Sequence, residues 1–141
     1  MTRGLRIFLD ANILFSAAMS DGAVRSLVAR LRDAGHECWA DGYVIEEARR
    51  NLVAKAPAHL PALDELVARL QISAVAPAID RINCDGLPEK DRIVVAAAVV
   101  AACDILVTGD RTHFGKFYGR LIAGIRIHSP RSLHERLFPD G

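Results

Sequence analysis

Aromatic residues are scarce, at 6% of the chain, which excludes an extended platform for stacking nucleic-acid bases. An excess of charge of one sign is also missing: 18 Lys and Arg stand against 17 Asp and Glu, a formal charge of +1. No global basic field would hold bulk nucleic acid, so any such contact must be local. The three cysteines, Cys38, Cys84 and Cys103, are odd in number and form no CxxC pair. Two lie in apolar segments and read as small hydrophobes rather than redox groups. The five histidines, His36, His59, His113, His128 and His134, show neither HxxxH nor HExxH spacing, so a zinc site lacks its usual ligands. The charge-poor N-terminal stretch is patterned as a strand plus a helix and carries Asp10, unlike a secretion signal or a membrane span. The expectation is a cytoplasmic protein without membrane contact.

Glycine-rich phosphate loops are missing too. No GxGxxG follows the first apolar run, Gly109 and Gly115 enclose five residues where a P-loop has four, and Phe117 follows Lys116 where Ser or Thr should bind magnesium. A haloacid-dehalogenase type of phosphatase would need a second acid two residues after Asp10, where Asn12 stands.

What is present suffices for one core: 141 residues, 51% of them hydrophobic, read as a single domain over 1–141 that needs no disulfide or metal staple. Short apolar runs alternate with helical patterns. Strands are expected at 5–9, 37–40, 72–75, 104–108 and 125–128. Helices are expected near 11–19, 22–34, 42–55, 60–70 and 89–102, with a short one at 111–117 and a terminal one after Ser129-Pro130. A turn-rich loop runs through Gly86-Leu87-Pro88, and the helix at 89–102 is so rich in Ile, Val and Ala that it should be buried on most sides. This is the rhythm of βαβ units, predicting a three-layer α/β/α domain with a parallel sheet of about five strands in the order 3-2-1-4-5. In that order strands 1 and 4 flank the switch point, where ligands bind beyond the carboxyl ends.

Two acids end those strands: Asp10 closes Arg6-Ile7-Phe8-Leu9-Asp10, and Asp110 closes Ile105-Leu106-Val107-Thr108-Gly109-Asp110. An acid beside a buried strand is costly unless a cation or a hydrogen bond answers it, and converging acids repel. A divalent cation relieves both. Each could instead cap the helix that follows it, and a cap does not exclude metal binding. Asp91 lies in the first turn of the helix at 89–102, where an acid suits the helix dipole and a metal alike. In the helix at 42–55, Val44, Ile45, Ala48 and Leu52 define a buried stripe. Glu47 falls roughly 115° from its centre and Glu46 roughly 145°, so Glu47 is the better inward choice. The alternative is a solvated face on which the two glutamates pair with Arg49 and Arg50.

These segments together resemble the ordered motifs of PIN domains: Ile7-Phe8-Leu9-Asp10-Ala11-Asn12-Ile13-Leu14, Glu47 ahead of Leu52, Lys90-Asp91-Arg92 before an Ala-rich helix, and Leu106-Val107-Thr108-Gly109-Asp110, with Ile127-His128-Ser129-Pro130-Arg131 like the closing strand and turn. The resemblance implies a magnesium- or manganese-dependent ribonuclease, many such proteins being VapC-like toxins held inactive by an antitoxin. It implies Asp10, Glu47, Asp91 and Asp110 as catalytic metal ligands. Many members carry a further acid two residues after the Thr-Gly-Asp acid, where this chain has Thr112; that departure puts a complete second metal site in doubt. Family habit suggests a homodimer.

Around the four acids, Arg111, His113 and Lys116 are candidates to meet substrate phosphates, Asn12 to orient a water or a ligand, and Thr108 to support an acid by hydrogen bonding, with Thr112 beside them. The expected partners are an RNA substrate, read by folded shape or a short exposed loop, and an antitoxin protein. The rival is a catalytically degraded PIN-like module that binds RNA or a protein, supported by Thr112.

Overall fold

Ile7, Phe8 and Leu9 expose at most 1% of their surface, as happens in a strand whose sheet is covered on both faces. They belong to β1 (Arg6–Leu9), central in a six-stranded sheet of order β3-β2-β1-β4-β6-β5. The computed structural model describes residues 4–75 and 86–140. Most of the turn-rich loop predicted ahead of Pro88, and Cys84 within it, lie outside the described residues.

β1 pairs in parallel with β2 (Glu37–Asp41) on one side and β4 (Ile105–Val107) on the other, with Phe8 opposite both Trp39 and Leu106. β3 (Gln71–Ser73) adds beside β2 and β6 (Ile125–His128) beside β4, again in parallel. These five strands follow the predicted order, the fifth predicted strand being β6. The sheet has one strand more than expected: β5 (Leu121–Ile122) runs antiparallel along the edge of β6. Ala123 (φ 53°) and Gly124 (φ 84°) turn the chain between them, the left-handed pair that a two-residue hairpin requires.

α1 (Ala11–Met19), α3 (Gly42–Lys55) and α4 (Leu60–Val67) pack on one another, and a 3-10 turn at Pro57–His59 joins the last two. α2 (Ala23–Asp33) rests on β2 and on α7 (Pro130–Leu137), which also meets β6. α5 (Glu89–Val100) lies on β4 and β6, and the four-residue α6 (Arg111–Phe114) follows β4. The expected burial of α5 holds for Val94–Ala98 but not for its last turn, where Val99 and Val100 are 41% and 50% exposed.

Phe8, Leu14, Leu52, Leu106, Phe114 and Ile127 are sealed in the core, each side chain contributing on the order of 1.5–3 kcal/mol by burial. Cys38 and Cys103 are buried and free. Burial pushes both thiols up to about 12, which leaves them inert as nucleophiles. Because β2 leaves β1 on one side and β4 returns on the other, the carboxyl ends of β1 and β4 bracket the crevice of an open α/β sheet.

Candidate functional site

Asp10 follows the last residue of β1 and caps α1, its Oδ1 accepting the Ala11 N–H at 2.7 Å. Its Oδ2 accepts the Thr108 hydroxyl at 2.8 Å and the Asn12 amide at 3.3 Å. The residue is only 5% exposed. Burial pushes its carboxyl from 3.8 up to about 6, against the pull of the Thr108 and Ala11 hydrogen bonds, and the charges of Glu47 and Asp91 add to the rise.

Thr108, fully buried just past β4, ties the two strand ends together. While its hydroxyl proton goes to Asp10, its oxygen accepts the Asp110 N–H at 3.1 Å and the Asn12 amide at 3.3 Å. Asn12 closes the lattice by accepting the Gly109 N–H at 2.7 Å. A Cβ at Gly109 would stand 3.3 Å from the Asn12 oxygen, so a glycine lets the two loops approach this closely.

Asp110 caps α6 through Oδ1, which accepts the His113 N–H at 3.1 Å, while its Oδ2 lies 2.8 Å from His113 Nδ1. The same imidazole nitrogen is 2.8 Å from Oδ2 of Asp91, a buried residue in the first turn of α5. Neither contact is aligned as a hydrogen bond, and both Asp91 Oδ2 and His113 Nδ1 are buried without a hydrogen-bonding partner. Burial holds the Asp91 carboxyl above its ordinary range, with His113 opposing the shift and Asp110 adding to it.

Glu47 is half-buried on α3 and Glu46 is exposed. Arg49, which the alternative reading paired with these glutamates, instead bonds Asp64 at 2.9 Å. Asp10, Glu47, Asp91 and Asp110 all line one cleft of about 220 Å³, with Asn12 beside them. Of the other predicted residues, Thr108 hydrogen-bonds Asp10 and His113 contacts Asp91 and Asp110. Arg111, Thr112 and Lys116 are exposed and do not line the cleft; the Lys116 ammonium instead lies near the Phe117 ring, 5.3 Å from its centroid.

Four polar cleft residues were not singled out as site residues from the sequence: Tyr43, Asn51, Lys55 and Lys90. The signal for three of them was available, since Tyr43, Glu47, Asn51 and Lys55 recur every fourth residue along α3 and so share one face. Four carboxylates against two ammonium groups leave the cleft with a formal excess of two negative charges, suited to one divalent cation. The tightest donor group among the described residues is Asp91, Asp110 and His113, whose ligand atoms lie within 4.8 Å of one another. Asp10 and Glu47 stand outside that group on the same cleft.

Comparison with curated proteins found no match. Among solved structures, VapBC2 from Rickettsia felis, bound to a DNA fragment from its promoter, is 15% identical, with a TM-score of 0.65 over 89% of this chain and 98% of its own. PAE2754 from Pyrobaculum aerophilum is 20% identical, with a TM-score of 0.64 over 96% of this chain and 91% of its own. VapC20 from Mycobacterium tuberculosis, described as a sarcin-ricin loop cleaving toxin, is 12% identical, with a TM-score of 0.55 over 82% of this chain and 98% of its own. At such identities the likeness is one of fold. A sequence profile described as a PIN domain matches residues 6–112, a span that holds Asp10, Glu47, Asp91 and Asp110, and on that match the chain belongs to the PIN-domain family.

Proposed function

We propose that this protein is a metal-dependent endoribonuclease of the VapC-like toxin kind, working in the cytoplasm and restrained by an antitoxin. The observation that carries the reading is the convergence of four carboxylates on one cleft at the ends of β1 and β4, with Asp91 Oδ2 buried and accepting no hydrogen bond. Such a set is stable when a hard divalent cation, Mg²⁺ or Mn²⁺, satisfies it. The nuclease habit of the family agrees with this, as do neighbours in fold that include VapBC complexes and a sarcin-ricin loop cleaving toxin.

Asp10, Glu47, Asp91 and Asp110 would hold the cation. When bound, it would lower the pKa of a water and offset charge on the phosphodiester. The chain supplies the rest. Thr108 and Asn12 fix the Asp10 carboxylate, leaving it no rotamer freedom to lose when ligand arrives. Lys55 from α3 and Lys90 from α5 both line the cleft and can meet phosphates flanking the scissile bond. No side chain in the cleft need form a covalent intermediate, since the attacking group is water and the products are a phosphate monoester and a free hydroxyl.

The rival reading, a degraded module, rests on Thr112. That residue is exposed on α6 and outside the cleft, so its lack of a carboxylate leaves the four acids intact. A panel of labelled structured RNAs, single-stranded RNA and DNA, incubated with the partner-free protein in Mg²⁺, Mn²⁺ or EDTA, tests the proposal. RNA cleavage that requires metal and is abolished in Asp10→Asn and Asp110→Asn is the expected result. Binding without cleavage, equal in wild type and variants, would favour the module.

A further inference from the structure

His113 occupies a place in the acid cluster that none of the four carboxylates accounts for. Its Nδ1 stands 2.8 Å from Asp91 Oδ2 and 2.8 Å from Asp110 Oδ2, yet donates a hydrogen bond to neither. The Asp91 side chain is 7% exposed, and its Oδ2 accepts no hydrogen bond, so the nearby imidazole is what answers its charge. One imidazole proton could in any case serve only one of the two acids. The contrast with Asp10 is sharp, because both of its oxygens are hydrogen-bonded.

Three donor atoms of Asp91, Asp110 and His113 lie within 4.8 Å of one another, close enough to share one cation. Octahedral coordination with bonds of about 2.1 Å puts neighbouring donors about 3 Å apart, near the 2.8 Å separations found here. The donor set also carries information about which ion. Oxygen-only sites suit Mg²⁺, whereas an imidazole nitrogen shifts preference toward transition ions. Manganese shares with magnesium a preference for carboxylate and water, and as a transition ion it tolerates the nitrogen better. The chain reads Asp110-Arg111-Thr112-His113, so one turn of α6 brings this nitrogen back onto Asp110, whereas Thr112 points away to solvent.

We propose that His113 Nδ1, at the edge of the cleft, is a direct ligand to the cation that Asp91 and Asp110 hold, and that it makes the site select Mn²⁺ over Mg²⁺. The inference rests on the reading of the cleft as a divalent-cation site.

The test uses the full chain stripped with EDTA and loaded with less than one equivalent of Mn²⁺. Electron spin-echo envelope modulation then reads directly whether a nitrogen is bound to the ion. The expected result is nitrogen coupling in the wild type, its loss in His113→Ala, and Mn²⁺ binding weakened on the order of tenfold or more in the variant, with Mg²⁺ binding changed far less. Mn²⁺ bound without nitrogen coupling would overturn the inference and leave the metal-site reading standing. Tighter binding of both ions by His113→Ala would also overturn it, since His113 would then be a competitor for the acids. Absence of any Mn²⁺ binding would remove the inference and the metal reading together. Should His113→Ala fail to fold, the wild-type spectrum decides alone, with His113→Gln as the second variant for affinities.

Discussion

Thr108 is the residue on which the site geometry turns. Its hydroxyl donates to Asp10 and accepts from Asn12 and the Asp110 amide, so one oxygen joins the end of β1 to the loop after β4. Thr108→Val keeps the shape and removes all three bonds. The fold should lose about 1–3 kcal/mol, because Asp10 Oδ2 and the Asp110 N–H are left poorly satisfied. Divalent-ion affinity, measured by titration calorimetry, should fall about 10–100-fold, the usual cost of losing an outer support of a ligand. Unchanged affinity in a folded Thr108→Val protein would mean that Asp10 needs no such support.

At the scale of elements, α5 is covered on most sides where it is richest in alanine: Ala96, Ala97 and Ala98 are at most 4% exposed. The same helix carries Asp91 at its start into contact with His113. Ala98→Leu should therefore cost about 1–3 kcal/mol by overpacking, and a denaturant melt would read it. A neutral result would mean the helix has room to shift. The elements themselves were largely legible, since apolar strands and amphipathic helices alternate with clear stops, and Ser129-Pro130 opens α7 with a reciprocal Ser129–Ser132 cap. What escaped notice was short or unusual. β5 has two residues and turns on an alanine with φ of 53°, neither of which leaves a periodic signal. Asp10 and Asp110 could be read because they end apolar runs. Lys55 and Asn51 could not so easily, because a polar helix face reads as a solvated one until the neighbouring wall is known. His113 was read as a phosphate contact, and only the fold places its nitrogen between Asp91 and Asp110.

For the molecule as a whole, folding, protons and metal are linked through the same cleft. The Asp10 carboxyl is raised in the folded chain from 3.8 to about 6. The folded state thus binds this proton more tightly than the unfolded one. The stability this lends is fully present below about pH 4 and is lost as pH rises through about 6, a change of roughly 3 kcal/mol. His128 acts in the opposite direction: burial, with Arg136 and Arg126 nearby, lowers its pKa. Its contribution is present above the ordinary histidine value of 6.5 and is lost as pH falls through the lowered one. Comparing wild type with Asp10→Asn cancels His128 and isolates Asp10, since asparagine keeps an oxygen to cap Ala11 but carries no charge. In EDTA at about pH 8, Asp10→Asn should be the more stable protein by about 1–3 kcal/mol, and the difference should shrink toward zero near pH 4. Saturating Mn²⁺ should reverse the order at about pH 8, because an ion at 100 times its dissociation constant adds about 2.7 kcal/mol to the folded state that binds it. The variant, short of one carboxylate, gains less. Chemical denaturation at two pH values with and without metal reads all four corners. A difference of one sign in every corner would mean that the charge on Asp10 serves the fold and not an ion.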